Sequence, residues 1–139
     1  MTLRQATQGD IAGMQRVRWA VRENALSDPN RITVADYIAA LDELGRTWVV
    51  EADGAIAAFA TGYKAGSIWA LFVHPDHEGR GYGKALHSTM VNWLWSLGHK
   101  RLWLTTRPGT RAEGFYVSRG WQPCGIVPGG DLRLELVAP

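Results

Sequence analysis

The amino-acid sequence predicts an α/β domain of the α+β kind: a mixed central β-sheet of about seven strands, two helices after the first strand, and a later βαβ unit. Three observations predict it. Two helix-capping signals, at Thr7 and Thr33, follow a short first strand. Asp53-Gly54 separates two strand-like runs, as a two-residue hairpin turn does. A wholly apolar run, 68–73, leads through a glycine-rich loop and a long helical pattern into another strand. With 139 residues, 46% hydrophobic and 20% charged, the chain is expected to form one domain, 1–139, with one core.

The elements follow in order. Residues 2–6 read as the first strand. Thr7 with Asp10 resembles a capping box, and Ile11, Met14, Val17 and Val21 give the first helix its apolar face. Ser27-Asp28-Pro29-Asn30 breaks the pattern, and Thr33 with Asp36 opens a second helix carrying Tyr37, Ile38, Leu41 and Leu44. Trp48-Val49-Val50 and 55–63 flank Asp53-Gly54 and are expected to pair antiparallel. The run 68–73 is apolar at every position, which predicts a strand covered on both faces in the middle of the sheet. Leu86, Met90, Trp93, Leu94 and Leu97 fall at helical spacing up to Gly98. The strand 101–106 then lies parallel to 68–73 through a right-handed crossover. A short helix, 111–119, ends at Gly120, and Leu132, Leu134 and Leu136 alternate with polar residues in the closing strand.

Composition excludes several classes. No run of about 18 apolar residues and no secretory leader is visible, so a cytoplasmic protein with no membrane partner is expected. Cys124 is the only cysteine, which leaves neither an internal disulfide nor a cysteine cluster for zinc. The net charge of +2 comes from interspersed Lys and Arg rather than a basic stripe, so no nucleic acid is expected. The seven Trp residues are read as core.

The most informative stretch joins the apolar strand to the long helix: Leu71-Phe72-Val73-His74-Pro75-Asp76-His77-Glu78-Gly79-Arg80-Gly81-Tyr82-Gly83-Lys84. Glycines at alternate positions let backbone approach a ligand closely, and the unpaired N–H groups of a helix start favour a diphosphate. Arg80 and Lys84 add charge, or are solvated surface side chains. A Walker A loop would need glycine at 78 and Ser or Thr at 85, where Glu78 and Ala85 stand. A dinucleotide fold would need Gly-x-Gly-x-x-Gly in its first βαβ unit, not Gly-x-Gly-x-Gly in mid-chain. A plain helix-capping turn is the remaining alternative.

The stretch resembles the acyl-CoA-binding motif of the GNAT superfamily of N-acetyltransferases, Val-x-Pro-x-x-(Gln or Arg)-x-x-Gly-x-(Gly or Ala), at Val73, Pro75, Gly81 and Gly83. Glu78 stands where the family has Gln or Arg. A second stretch, Ala112-Glu113-Gly114-Phe115-Tyr116-Val117-Ser118-Arg119-Gly120-Trp121, is similar to the family's Ala-x-x-Phe-Tyr-x-x-x-Gly-Phe motif, with Gly109 in place of its upstream Asn. The element order is also the family's, so the resemblance covers nearly the whole chain.

The resemblance implies acetyl-CoA as cosubstrate, no metal, a primary amine acceptor that is a small molecule or a peptide, and, by analogy, a homodimer. It implies that strands 68–73 and 101–106 splay apart to admit the pantetheine arm against Leu71, Phe72 and Val73, with Glu78 to Lys84 at the diphosphate. Tyr116 matches the general acid that protonates the leaving thiolate; its bland role is a core Tyr beside Phe115. A non-catalytic acyl-CoA-binding module is the alternative function. An amine of pKa near 10 is only about one part in a thousand neutral at pH 7, a deficit of roughly 4 kcal/mol, so its proton must go somewhere. The family's strand Glu is missing, with Trp69 and Ala70 in its vicinity. A water chain, Glu23 or Glu51, or an acceptor of low pKa would serve; His74 is a weaker candidate, and His77, His87 and His99 are weaker still. Arg18, Arg22, Glu23 and Asn24 to Arg31 are the family's acceptor-facing region, where arginines suit a carboxylate or phosphate but also suit a solvated helix face. Trp69 and Trp103 are read as cleft lining or core.

Overall fold

The structure, a computed structural model, describes residues 1–21 and 31–139. The expected breaker at 27–30, and Arg22, Glu23 and Asn24, lie outside the described residues. The elements run β1 (Thr2–Gln5), α1 (Ile11–Ala20), α2 (Val34–Leu41), β2 (Gly45–Ala52), β3 (Ala55–Tyr63), β4 (Ile68–Val73), α3 (Tyr82–Ser96), β5 (Arg101–Thr106), α4 (Arg111–Ser118), β6 (Gln122–Ile126) and β7 (Leu132–Val137).

Local chemistry sets the helix starts. The Thr7 N–H donates to the Asp10 carboxylate at 2.8 Å, closing a 3-10 turn, Gln8–Asp10, that leads into α1. The same carboxylate accepts from Arg4 at 2.7 and 2.8 Å, and Arg4 also bonds Glu51, so this cap is tied to β1 and β2. Thr33 and Asp36 cap α2 reciprocally: the Thr33 N–H donates to Asp36 at 2.7 Å, and the Asp36 N–H donates to the Thr33 hydroxyl at 3.2 Å. Asp53 and Gly54 hold φ of 54° and 78°, the pair of left-handed residues that a tight hairpin between β2 and β3 requires.

The seven strands divide into two antiparallel sheets, β1-β2-β3-β4 and β5-β7-β6. One parallel bridge, Ser67 to Trp103, joins them, with the Trp103 N–H donating to Gly66 O at 3.1 Å. The parallel ladder expected between 68–73 and 101–106 therefore stops at that bridge, and β4 closes one side of its sheet instead of sitting inside it. Of its six residues only Ala70 is buried. Its apolar residues serve both faces: Ile68, Leu71 and Val73 pack with the α3 cluster, and Trp69, Ala70 and Phe72 with the α1 and α2 cluster.

Helices cover the first sheet on both faces. Met14, Val17 and Tyr37 pack on Val49 and Phe59, whereas Leu86, Met90 and Leu94 pack on Val50, Ala58 and Ala60 and, in the second sheet, on Leu102, Leu104 and Leu134. This alternation along β2 and β3 follows the two-residue period of a strand. Four expectations are corrected. Ile38 is exposed because Tyr37 and Ala40 carry the buried face of α2, and Leu44 is exposed past the end of that helix at Leu41. Leu97 is also exposed, beyond the last packed turn of α3. Val21 lies past the end of α1. Of the tryptophans, Trp48 and Trp121 are core, but Trp19 is 57% exposed and Trp103 lies on an open face with the Arg133 guanidinium 4.6 Å from its ring centroid. Among the described residues no helix is long and apolar enough to cross a membrane.

Candidate active site

The loop between β4 and α3 begins with a 3-10 turn, Pro75–His77, capped by His74, whose Nδ1 accepts from the Asp76 N–H at 3.1 Å. Gly79 and Gly81 follow with φ of 77° and 83°, a region that costs an L-residue about 1–2 kcal/mol. A Cβ at either would meet nothing within 4 Å, so the loop faces open space. The Ala85 N–H donates to Gly81 O at 3.1 Å, so the N–H groups of Tyr82, Gly83 and Lys84 stand ahead of the helix's own bonding. A Cβ at Gly83 would lie 3.6 Å from Val73 and 3.7 Å from Phe115, close enough to narrow the space between β4 and α4.

That space is a groove of about 880 Å³. It brings together Leu71, Phe72, Val73, Glu78, Gly79, Gly81, Tyr82, Gly83 and Lys84 from the expected set, and Tyr116 from α4. Arg80 is not among them: it turns to the β2–β3 hairpin, 3.5 Å from Asp53, and to His77 Nδ1 at 3.3 Å. Arg111, Ala112, Phe115 and Arg119 also line the groove; sequence reasoning quoted the last three only within a motif and gave none of the four a place at the site. Their spacing was the available signal, since 112, 115, 116 and 119 fall on one helix face. Arg111 donates to Glu78 at 3.0 Å across the mouth, a pairing that balances the acidic side chain.

A second cavity of about 540 Å³ opens on the other side of β4 and shares Leu71, Phe72, Ala112 and Tyr116 with the groove. The gap between β4 and β5 makes it, with Ile68 to Phe72 on one wall and Leu104 to Arg107 on the other. Trp69 lines it, stacked on Tyr63 at 5.6 Å; Trp103 does not. Its charged lining is Arg18, Arg31, Asp36, Arg107 and Asp131. Arg18 is only 7% exposed, with its guanidinium 4.2 Å from the Phe72 ring centroid, so the solvated-face reading fails for it. Burial chiefly, with a smaller push from Arg31, lowers its pKa. From sequence, Asp36 has only its capping role and Asp131 no role at the site. Glu51 is bound to Arg4, and neither it nor His74 lines either cavity.

Tyr116 is 6% exposed and packs edge-on against Phe115 and Trp121, with centroids 5.3 and 5.4 Å away. Burial pushes its phenol above the ordinary value of 10, so it is a neutral O–H donor throughout the physiological range. His87 of α3 stands behind it, accepting from Trp121 Nε1 at 2.9 Å. Burial, then Arg119, pushes its pKa down to about 4, so its ring is neutral. Among the described residues no group of three or more His, Cys, Asp or Glu is placed to hold a metal ion.

The fold recurs in solved structures. Ard1 from Thermoplasma volcanium superposes with a TM-score of 0.83 at 18% identity, over 99% of this chain and 97% of that one. The GCN5-related N-acetyltransferase from Rhodopseudomonas palustris gives 0.79 at 20% identity, over 99% and 95%. The protein yncA from Salmonella typhimurium, solved with its cofactor acetyl-CoA, gives 0.79 at 19% identity, over 100% and 97%. No protein with a curated description matches in sequence at a significant level. The sequence profile of the acetyltransferase (GNAT) family matches residues 11–121, which include the loop, the cleft and α4. A profile match over most of the chain says more than likeness of fold at such identities, and it establishes that this chain belongs to the acetyltransferase (GNAT) family, enzymes that use acetyl-CoA.

Proposed function

We propose that residues 1–139 form a single N-acetyltransferase domain that moves the acetyl group of acetyl-CoA to a primary amine, with Tyr116 as general acid. The observation that carries this reading is the meeting of two cavities at Leu71, Phe72, Ala112 and Tyr116. A donor in one and an acceptor in the other would react there.

The groove fits the donor. Three backbone N–H groups at the start of α3, with the Lys84 ammonium and Arg111 guanidinium beside them, suit a diphosphate. Val73 and Phe115 offer apolar walls to the arm, and backbone groups of Leu71, Phe72 and Val73 on the unpaired edge of β4 suit its amides. Bound acetyl-CoA supplies an activated acyl carbon and a thiolate leaving group.

The chain's residues supply position and protons. Holding both partners against β4 converts a two-body encounter into an oriented one. As the amine nitrogen bonds to the acyl carbon and the C–S bond breaks, the Tyr116 O–H donates to sulfur where charge develops, and the second proton that the nitrogen sheds as the amide forms returns to the phenolate. The ammonium proton must leave before attack. Of the two described carboxylates in the second cavity, Asp36 already holds the Thr33 N–H, which leaves Asp131 as the acceptor.

The test is to incubate acetyl-CoA with a panel of small-molecule and peptide amines, following thiol release and identifying the N-acetyl product by mass. Turnover of at least one amine is expected. Asp131→Asn should lose activity most at neutral pH and recover as the pH rises through the amine's own pKa. Tight CoA binding with no turnover on any amine points instead to a non-catalytic acyl-CoA-binding module.

A further inference from the structure

We propose that Arg119 recognises the 3′-phosphate of coenzyme A, so that the groove distinguishes coenzyme A from dephospho-coenzyme A; this rests on the reading above that the groove holds the donor. The residues of α4 divide between the two cavities. Ala112 and Tyr116 line both, whereas Phe115 and Arg119, one turn apart, line the groove alone. Arg119 thus stands away from the junction where the acyl group would react. Phe115 links it to the start of α3. A Cβ at Gly83 would come within 3.7 Å of the Phe115 ring, and the Arg119 guanidinium sits 4.8 Å from that ring's centroid. In the ligand, the diphosphate assigned to that helix start is followed by a ribose, whose 3′-phosphate is the one anion left without a partner on the groove wall.

The surroundings of Arg119 leave its charge uncompensated. Of the groove's two arginines, Arg111 pairs with Glu78, whereas Arg119 pairs with no carboxylate among the described residues. Its Nε is buried without a hydrogen-bond partner, so stacking on Phe115, and no acceptor, holds the side chain in place. Stacking engages the guanidinium face and leaves the Nη–H edge for phosphate oxygens. The acidic residues of the groove, Asp76 and Glu78, come from the loop ahead of α3. Asp76 lies 3.7 Å from His74, and Glu78 is the partner of Arg111. On α4 itself, Glu113 turns to the Gly109 N–H at 3.1 Å. His87 of α3, near enough to feel the Arg119 charge, is neutral and gives it no counter-charge.

The test is calorimetry of the wild-type protein with coenzyme A and with dephospho-coenzyme A, repeated on Arg119→Met and Arg119→Lys. Wild type should bind coenzyme A ~10-fold more tightly, the scale of one charge-assisted contact. Arg119→Met should lower affinity for coenzyme A by that factor and leave dephospho-coenzyme A unchanged. Arg119→Lys should keep part of the preference, since it keeps the charge and loses the fork. A cation at the last turn of a helix also answers the helix dipole, so the readout is selectivity between two ligands, which a purely structural role would not move. Equal affinities of wild type for the two ligands would overturn the inference. So would an Arg119→Met protein that keeps the wild-type preference or weakens on both ligands alike. Were neither ligand bound by wild type, the donor reading itself would fall, and this inference with it.

Discussion

His87 shows how one buried side chain couples the cleft's support to pH. Its ring is held neutral behind Tyr116, with a folded pKa of about 4 against 6.5 when exposed. The unfolded chain takes up a proton as pH falls through 6.5 and the folded one does not until about 4, so stability is full above that window and lost through it. The loss is about 3 kcal/mol at most. His87→Gln, which keeps an acceptor for Trp121, should flatten the fall in urea midpoint between pH 7 and pH 4.5; an unchanged pH dependence would show that other groups dominate. At the groove mouth, Glu78 pairs with Arg111, and under the proposed function it would oppose the diphosphate. Glu78→Gln should tighten CoA binding about 3- to 10-fold by calorimetry, the scale of an exposed charge interaction. Weaker binding in the variant would mean that the Glu78–Arg111 pair shapes the site rather than obstructing it.

Between elements, α1 comes close to β3. A Cβ at Gly13 would lie 2.6 Å from Ile56 Cγ1, so the helix sits lower on the sheet than any side chain there would allow. Alanine would gain about 1 kcal/mol in helix propensity and lose about 1–3 to overpacking, so Gly13→Ala should be net destabilising in chemical denaturation. In an Ile56→Ala background the same change should become stabilising; additivity of the two would contradict the contact. The starts of α1 and α2 and the β2–β3 hairpin were legible in the sequence because Thr7–Asp10, Thr33–Asp36 and Asp53-Gly54 settle them within four residues. The place of β4 was not. Its apolar run reads as a buried strand, and nothing within 68–73 reveals that the partner 101–106 leaves it after one bridge. Ile38 and Leu44 likewise read as core, although α2 turns Tyr37 and Ala40 inward and ends before Leu44.

Across the whole molecule, the departure of β5 from β4 leaves the edge that two cavities share. The glycine loop and Tyr116 were legible because both belong to motifs with fixed local spacing. The second cavity was not, because Arg18, Trp69, Arg107 and Asp131 come from four separated stretches and meet only through the gap between sheets. Arg18 marks the limit well: its helical position is ambiguous between solvent and site, and only its stacking on Phe72 resolves it. The most direct test of the account is kcat for thiol release from acetyl-CoA by wild type and Tyr116→Phe, with the best acceptor from the amine panel and CoA affinity measured in parallel. The account predicts a fall of ~10²- to 10⁴-fold in kcat with CoA affinity unchanged, because the phenol O–H acts only on the leaving sulfur. A Tyr116→Phe protein that turns over at the wild-type rate would contradict it, leaving Tyr116 as a core residue between Phe115 and Trp121.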